Sequence, residues 1–171
     1  MGEALRVMLL LGLAAAALTT VALTMNWWME PERRLRRAML KSLGRAAEAE
    51  AFSAAEGRAA GLDFDGGQVA TLWGCGAHGL VYGFHEVEGG EIIVDGHVVA
   101  RIRRGEPRKS LDVMVPEAGL VTLRLMFADA RYPEFELALW NASVPTQTGS
   151  PAEALRLGRR WLSHLEALLK G

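Results

Sequence analysis

The chain has 171 residues, 23 % of them charged, and a formal net charge of −1. That length holds one domain plus an anchor, and the balance of 19 Lys and Arg against 20 Asp and Glu lacks the cationic excess of a nucleic-acid-binding domain. A single cysteine, Cys75, rules out an intrachain disulfide and fits a reducing compartment.

Residues 7–25, VMLLLGLAAAALTTVALTM, carry no charge. As a helix they span about 28 Å, close to the hydrocarbon thickness of a bilayer. Trp27 and Trp28 follow where an aromatic belt lies at the headgroups. A cleaved signal peptide fits less well, because Arg6 alone precedes the run and Thr20-Val21-Ala22 is a poor cleavage site inside it. A buried core helix fits least, being apolar all round with little chain left to surround it. Residues 1–29 are therefore read as a transmembrane anchor. Lys and Arg flanking a span stay cytoplasmic, and Arg33, Arg34, Arg36, Arg37 and Lys41 outnumber Arg6. The expected topology is a single pass through a bacterial inner membrane, with the carboxy-terminal domain in the cytoplasm.

The anchor leads into a basic amphipathic stretch, residues 30–56. Pro31 suits the first helical position, where its missing N–H is no loss. On a helical projection Leu35, Met39, Leu40, Leu43, Ala46 and Ala47 share one sector, while Arg33, Arg34, Arg37, Lys41 and Arg45 face the other way. Just inside a membrane such a helix gains about 1 kcal/mol per cation near anionic headgroups. Trp27, Trp28, Arg33, Arg34, Arg37 and Lys41 are accordingly candidate membrane-surface contacts. The competing reading is a solvated linker helix that is basic for topological reasons alone. AAEAEAFSAAEG is expected to continue as helix or linker up to Gly57.

From there the period changes to alternation. GLDFD, GQVATLW and GLVYGFHEV read as strands joined by Gly66-Gly67 and by GCGAH. EIIVDGHVVARIRR reads as a hairpin, with Asp95-Gly96 favouring a type I′ turn. LDVMV, VTLRLMF and EFELALW complete seven or eight short strands, with Val121, Leu123, Leu125 and Phe127 alternating against Thr122, Arg124 and Met126. Spacing of this kind predicts an antiparallel sandwich or barrel. Ser150-Pro151-Ala152-Glu153 then opens a final helix as a capping box. Leu155, Trp161, Leu162, Leu165, Leu168 and Leu169 recur at helical spacing, and Gly158 permits close approach to a sheet. The fold class expected is α+β: a transmembrane helix, then residues 57–171 as a β-sandwich or barrel capped by a carboxy-terminal helix.

GLDFDGGQVATLW, YGFHEVEGGEIIVDGHVVAR, VTLRLMFADARYPEFELALW and SPAEALRLGRRWLSHLEALL together resemble uncharacterised bacterial membrane-anchored proteins with a pleckstrin-homology-like domain. The likeness covers roughly residues 57–170. It implies a seven-stranded barrel closed by one helix and carries over no catalytic residue. In the wider fold a basic loop at the open end often binds ligand. The nearest equivalent, RIRRGEPRK, does not match that loop's position.

Three motifs carry sharper chemistry on their face. GCGAHG spells G-x-G-x-x-G, and Asp95 lies 21 residues beyond Gly74, a spacing that mimics a dinucleotide fingerprint. The fingerprint needs a helix after its last glycine to meet the pyrophosphate, and LVYGFHEVEGG is a strand sequence. Cys75 and His78 form C-x-x-H, with His85 and His97 beyond, yet no second ligand pair exists for structural zinc. A Cys75–His78 nucleophile pair would need a base within reach and an oxyanion hole. Asp63-Phe64-Asp65-Gly66 starts like a calcium loop but lacks the later acidic ligands, so a hairpin turn is expected.

Arg101, Arg103, Arg104, Arg108 and Lys109 form the candidate anionic-ligand surface. Alternation places Arg101 and Arg103 on one face. The competing reading is an edge strand kept soluble by its charge. The expected function is a non-catalytic binding or scaffolding domain held at the membrane, without cofactor or metal. Its expected partners are the bilayer and a protein, and not nucleic acid. The alternatives are an accessory subunit of a larger membrane complex and, less favoured, an enzyme using Cys75 and His78.

Overall fold

The computed structural model describes residues 2–110, 117–145, 147 and 149–170, with the side chains of residues 4–5, 22–23, 25–29 and 110 excepted. The expected strand LDVMV lies outside them. Two helices open the chain, α1 (Gly2–Met29) and α2 (Pro31–Leu43). A meander follows: β1 (Ala49–Ser53), β2 (Arg58–Asp63), β3 (Gln68–Trp73) and β4 (His78–Gly83) pair antiparallel in chain order. A single 3-10 turn, Phe84–Glu86, breaks what reads in sequence as one strand, GLVYGFHEV, and redirects the chain into a second sheet. There β5 (Val87–Val94), β6 (His97–Arg103), β7 (Lys109–Ser110), β8 (Leu120–Phe127) and β9 (Glu134–Asn141) stand in the order β7-β6-β5-β8-β9. The final helix is α3 (Pro151–Lys170).

The α+β class and the antiparallel sheets with a carboxy-terminal helix are therefore as expected; the barrel is not. Among the described residues the sheets, of four and five strands, stay separate and do not close. Their meeting edge is sealed by side chains instead. Arg58 donates to the Glu136 carbonyl at 2.9 Å, and Glu56 accepts from the Ala138 N–H at 3.4 Å. Those bonds occupy backbone groups on the outer edge of β9 that would otherwise template further pairing.

The region between α1 and residue 57 differs most from expectation. It is neither linker nor continuous helix. Gly44, at φ 73°, closes α2 in the left-handed conformation that glycine adopts without steric cost. AEAFS then forms β1, with Ala49 opposite Leu62 and Ser53 opposite Arg58. Most of the apolar stripe of α2 faces the sheet: Leu35 and Met39 are fully buried against Ala59, Ala70 and Leu72 on the outer face of the first sheet, while Leu40 stays exposed. The folded unit therefore starts at α2.

The amino-terminal expectation is met only in part. Residues 7–21 are helical within α1, but among the described residues no helix is long and apolar enough to cross a membrane. Ala22, Leu23 and Met25, which complete the apolar run, lie outside the described side chains, as do Trp27 and Trp28.

The second sheet follows its alternation. Val121, Leu123, Leu125 and Phe127 of β8 enter the core, while Thr122 and Arg124 take the other face. Asp95 and Gly96, at φ 48° and 83°, form the tight turn between β5 and β6, the type I′ geometry that both positive angles require. α3 covers the inner face with Trp161, Leu162 and Leu165 fully buried. A Cβ on Gly158 would sit 3.1 Å from Ile92 of β5, so glycine sets the approach distance of helix and sheet. At its start the Glu153 N–H donates to Ser150 Oγ at 3.3 Å, one half of the capping box.

Candidate functional site

The outer face of the second sheet carries a row of alternating charge. Glu91 of β5 is almost fully buried there, with Arg124 of β8 at 3.1 Å and Arg103 of β6 at 3.6 Å. Arg124 reaches on to Glu136 at 2.7 Å and Glu134 at 3.5 Å. A carboxylate that deep is tolerated because opposite charges and hydrogen bonds surround it.

Of the expected anionic-ligand surface this row takes in Arg103 alone. Arg101 and Arg103 do share a face, but Arg101 pairs with Glu106 at 3.5 Å and Arg103 with Glu91. Lys109 also pairs with Glu106, at 3.6 Å. Arg104 turns back to donate to the carbonyls of Phe84, His85 and Val87. Arg108 ties the β6–β7 connection to α3 through Ser163 and Glu166. The five cations thus do not converge on one point; each has an internal partner.

The candidate membrane contacts are placed as follows. Arg33, Arg34, Arg37 and Lys41 are exposed on α2, on the side away from the sheet. Arg33 pairs with Glu30, and Arg37 donates to the Arg33 carbonyl at 3.2 Å. Arg36, off the basic stripe in projection, reaches Glu50 of β1 at 2.8 Å and lies over the Phe52 ring. Arg45, just past the end of α2, reaches Asp65 of the β2–β3 turn at 2.8 Å and the buried Asp63 at 3.8 Å.

GCGAH is the turn between β3 and β4, and β4 begins at His78. A strand therefore stands where a dinucleotide fingerprint needs a helix. The Cys75 N–H donates to the Gly57 carbonyl at 2.9 Å, and His78 stacks on Trp73. Among the described residues no group of three His, Cys, Asp or Glu is placed to hold a metal. Asp63 accepts from the Gly66 N–H at 2.8 Å, which makes DFDG the expected hairpin turn.

The feature that sequence reasoning missed is a cleft at the corner where the sheets diverge. It has a volume of about 270 Å³. Arg58, Thr71, Trp73, Leu80 and Tyr82 of the first sheet line one side, with Tyr132, Glu134, Phe135 and Glu136 opposite. Tyr132 leans on Trp73 with ring centroids 6.0 Å apart. Arg58 lies over the Phe135 ring. Register puts Leu80 across from Thr71, and strand alternation puts both on the face that carries Trp73 and Tyr82. The signal was therefore present as a run of alternate residues, but the opposing wall comes from Tyr132 and the start of β9, some 60 positions away. A second cavity of about 290 Å³, lined by Glu88, Arg103, Arg104 and Glu106, lies near the first and shares Glu134 with it. Neither cavity is lined by Cys75 or His78.

Tyr82 closes the cleft floor. Its ring stacks on Phe127 at 4.0 Å, and its hydroxyl donates to Asp129 at 3.1 Å. Burial, then the Asp129 hydrogen bond and charge, push its pKa up to about 12. A phenol whose pKa is higher folded than unfolded adds stability below its unfolded value, near 10, and loses it as pH rises through 12. Tyr82→Phe is expected to remove a phenolate absorbance step centred near pH 12. Retention of that step in the variant would assign it elsewhere.

The chain matches no protein-family model, no curated protein and no solved structure.

Proposed function

We propose that this is a single-pass inner-membrane protein whose α+β domain is a non-catalytic binding or scaffolding module facing the cytoplasm. The observation that carries the reading is the surface of α1. Val7, Met8, Leu9, Leu10, Leu11, Leu13, Leu18 and Val21 are 55–73 % exposed on a helix that is apolar all round. A continuous exposed apolar cylinder is unstable in water and at home in lipid. Its hydroxyls fit the same solvent: Thr19, Thr20 and Thr24 each donate to the carbonyl four residues earlier, at 2.8–2.9 Å. Back-bonded hydroxyls present no unmet donor to hydrocarbon.

Charge sets the direction. Arg33, Arg34, Arg36, Arg37 and Lys41 follow the helix closely, and such residues stay on the cytoplasmic side. Because α2 turns its apolar side into the sheet, its exposed basic side is available to anionic headgroups beside the anchor. Contact with the bilayer then orients the domain.

Fusion of a reporter to Gly171 tests the topology. A fluorescent protein is expected to be bright and alkaline phosphatase silent, with the chain retained in the membrane after an alkaline carbonate wash. Phosphatase activity without fluorescence reverses the topology, and release by carbonate removes the anchor.

A further inference from the structure

Among the described residues Arg58 is the one cation lining the aromatic cleft, and no carboxylate pairs with it. A guanidinium has five N–H donors; here one is used, on the Glu136 carbonyl at 2.9 Å. The acidic side chains of the lining do not neutralise it, because Arg124 holds Glu136 at 2.7 Å and Glu134 at 3.5 Å from the outer face of the sheet. Around it stand Trp73, Leu80, Tyr132 and Phe135, which offer dispersion contacts. A guanidinium with spare donors beside an apolar wall matches a planar anion that brings apolar surface of its own.

We propose that the cleft binds a monocarboxylate with a flat apolar body. The carboxylate pairs with Arg58, and the body lies against Trp73, Leu80 and Tyr132. At about 270 Å³ the cleft is slightly below the range of drug-sized ligands, so the bound group is small. Two sources carry this chemistry, a free aryl acid and the apolar carboxy-terminal residue of a polypeptide. The second has room to approach, since β4 is an edge strand with no strand beyond it among the described residues. The proposal deepens the reading of the domain as a binding module and rests on it. Reporter fusions test the topology alone and titration tests the cleft alone, so the two failures are distinguishable.

The full chain in lipid nanodiscs is titrated calorimetrically with 3-phenylpropionate, 3-phenylpropionamide and a hexapeptide ending in phenylalanine, with empty nanodiscs as the blank. The acid is expected to bind about tenfold or more tightly than its amide, the value of a charge-assisted hydrogen bond in a shielded site. Arg58→Gln is expected to remove that preference, bringing the acid's Kd to within about twofold of the amide's. Trp73→Ala weakens acid and amide alike and carries the test independently if Arg58→Gln disturbs folding. A peptide that binds more tightly than the free acid assigns the cleft to polypeptide termini, and the reverse order assigns it to small molecules. Equal binding of acid and amide, no heat from acid or peptide at millimolar concentration, or unchanged affinity in Trp73→Ala would each overturn the proposal.

Discussion

A fragment beginning at Gly57 is expected to remain unfolded, whereas one beginning at Pro31 is expected to melt cooperatively. The difference between them is α2 and β1. Leu35 and Met39 of α2 are fully buried, and with Ala38, Leu43 and Phe52 they cover Ala59, Ala70 and Leu72. Each large side chain taken out of water is worth about 1.5–3 kcal/mol, so losing the contacts of Leu35, Met39 and Leu72 costs about 5–9 kcal/mol. A domain of this kind has about 5–15 kcal/mol in all. Removing β1 adds to the loss by exposing the paired edge of β2 from Arg58 to Leu62. Circular dichroism melts of the two fragments decide the matter. A cooperative melt from the Gly57 fragment would show that α2 is an accessory to the fold rather than part of it.

That boundary illustrates what a sequence pattern carries and what it leaves open. The stripe of Leu35, Met39 and Leu43 is legible at helical spacing, as is the basic face opposite. The pattern is the same whether the stripe meets lipid or a sheet, and only the tertiary structure distinguishes them. AEAFS is misleading for a different reason. Ala and Glu prefer helices by a few tenths of a kcal/mol per residue, and five antiparallel partners on β2 outweigh that preference. The stop signal was present in Gly44, but Ala46 and Ala47 continue the apolar sector past it and mask the ending.

Where a local rule has a single physical cause, the reading holds. Asp95-Gly96 forms the turn its two positive φ angles demand, β8 alternates through Phe127, and α3 begins at Pro151 behind its serine cap. The cleft was not legible in the same way. Trp73 and Tyr82 are alternating strand residues like many others until Tyr132 arrives from the β8–β9 connection and Phe135 from β9. Conversely, the run of cations from Arg101 to Lys109 was conspicuous in sequence, yet its members turn to Glu106, Glu91, backbone carbonyls and α3. Chain proximity does not imply a shared target when alternate residues point to opposite faces.

Trp161→Ala is expected to cost about 3–5 kcal/mol, the range for deleting a fully buried aromatic side chain. Trp161 is 1 % exposed and lies with Leu162 and Leu165 in the cluster that joins α3 to side chains of both sheets, among them Leu62, Ile92 and Leu123. An exposed stripe of this width would leave an apolar patch that soluble domains rarely carry, so loss of its centre loosens the whole helix. One feature works against the tryptophan: its Nε1 is buried without a hydrogen-bond partner among the described residues. An unmet buried donor costs about 1–3 kcal/mol. Trp161→Phe, which removes the donor and keeps an aromatic ring, is therefore expected to fall well short of the alanine loss. Arg159→Ala and Arg160→Ala, just before it in the chain and on the exposed side, are expected to change stability by no more than about 0.5 kcal/mol. Thermal melts of the four variants in one detergent separate these cases. A Trp161→Ala protein that melts with the parent would mean that α3 does not hold the sheets together, and its buried stripe would need another explanation.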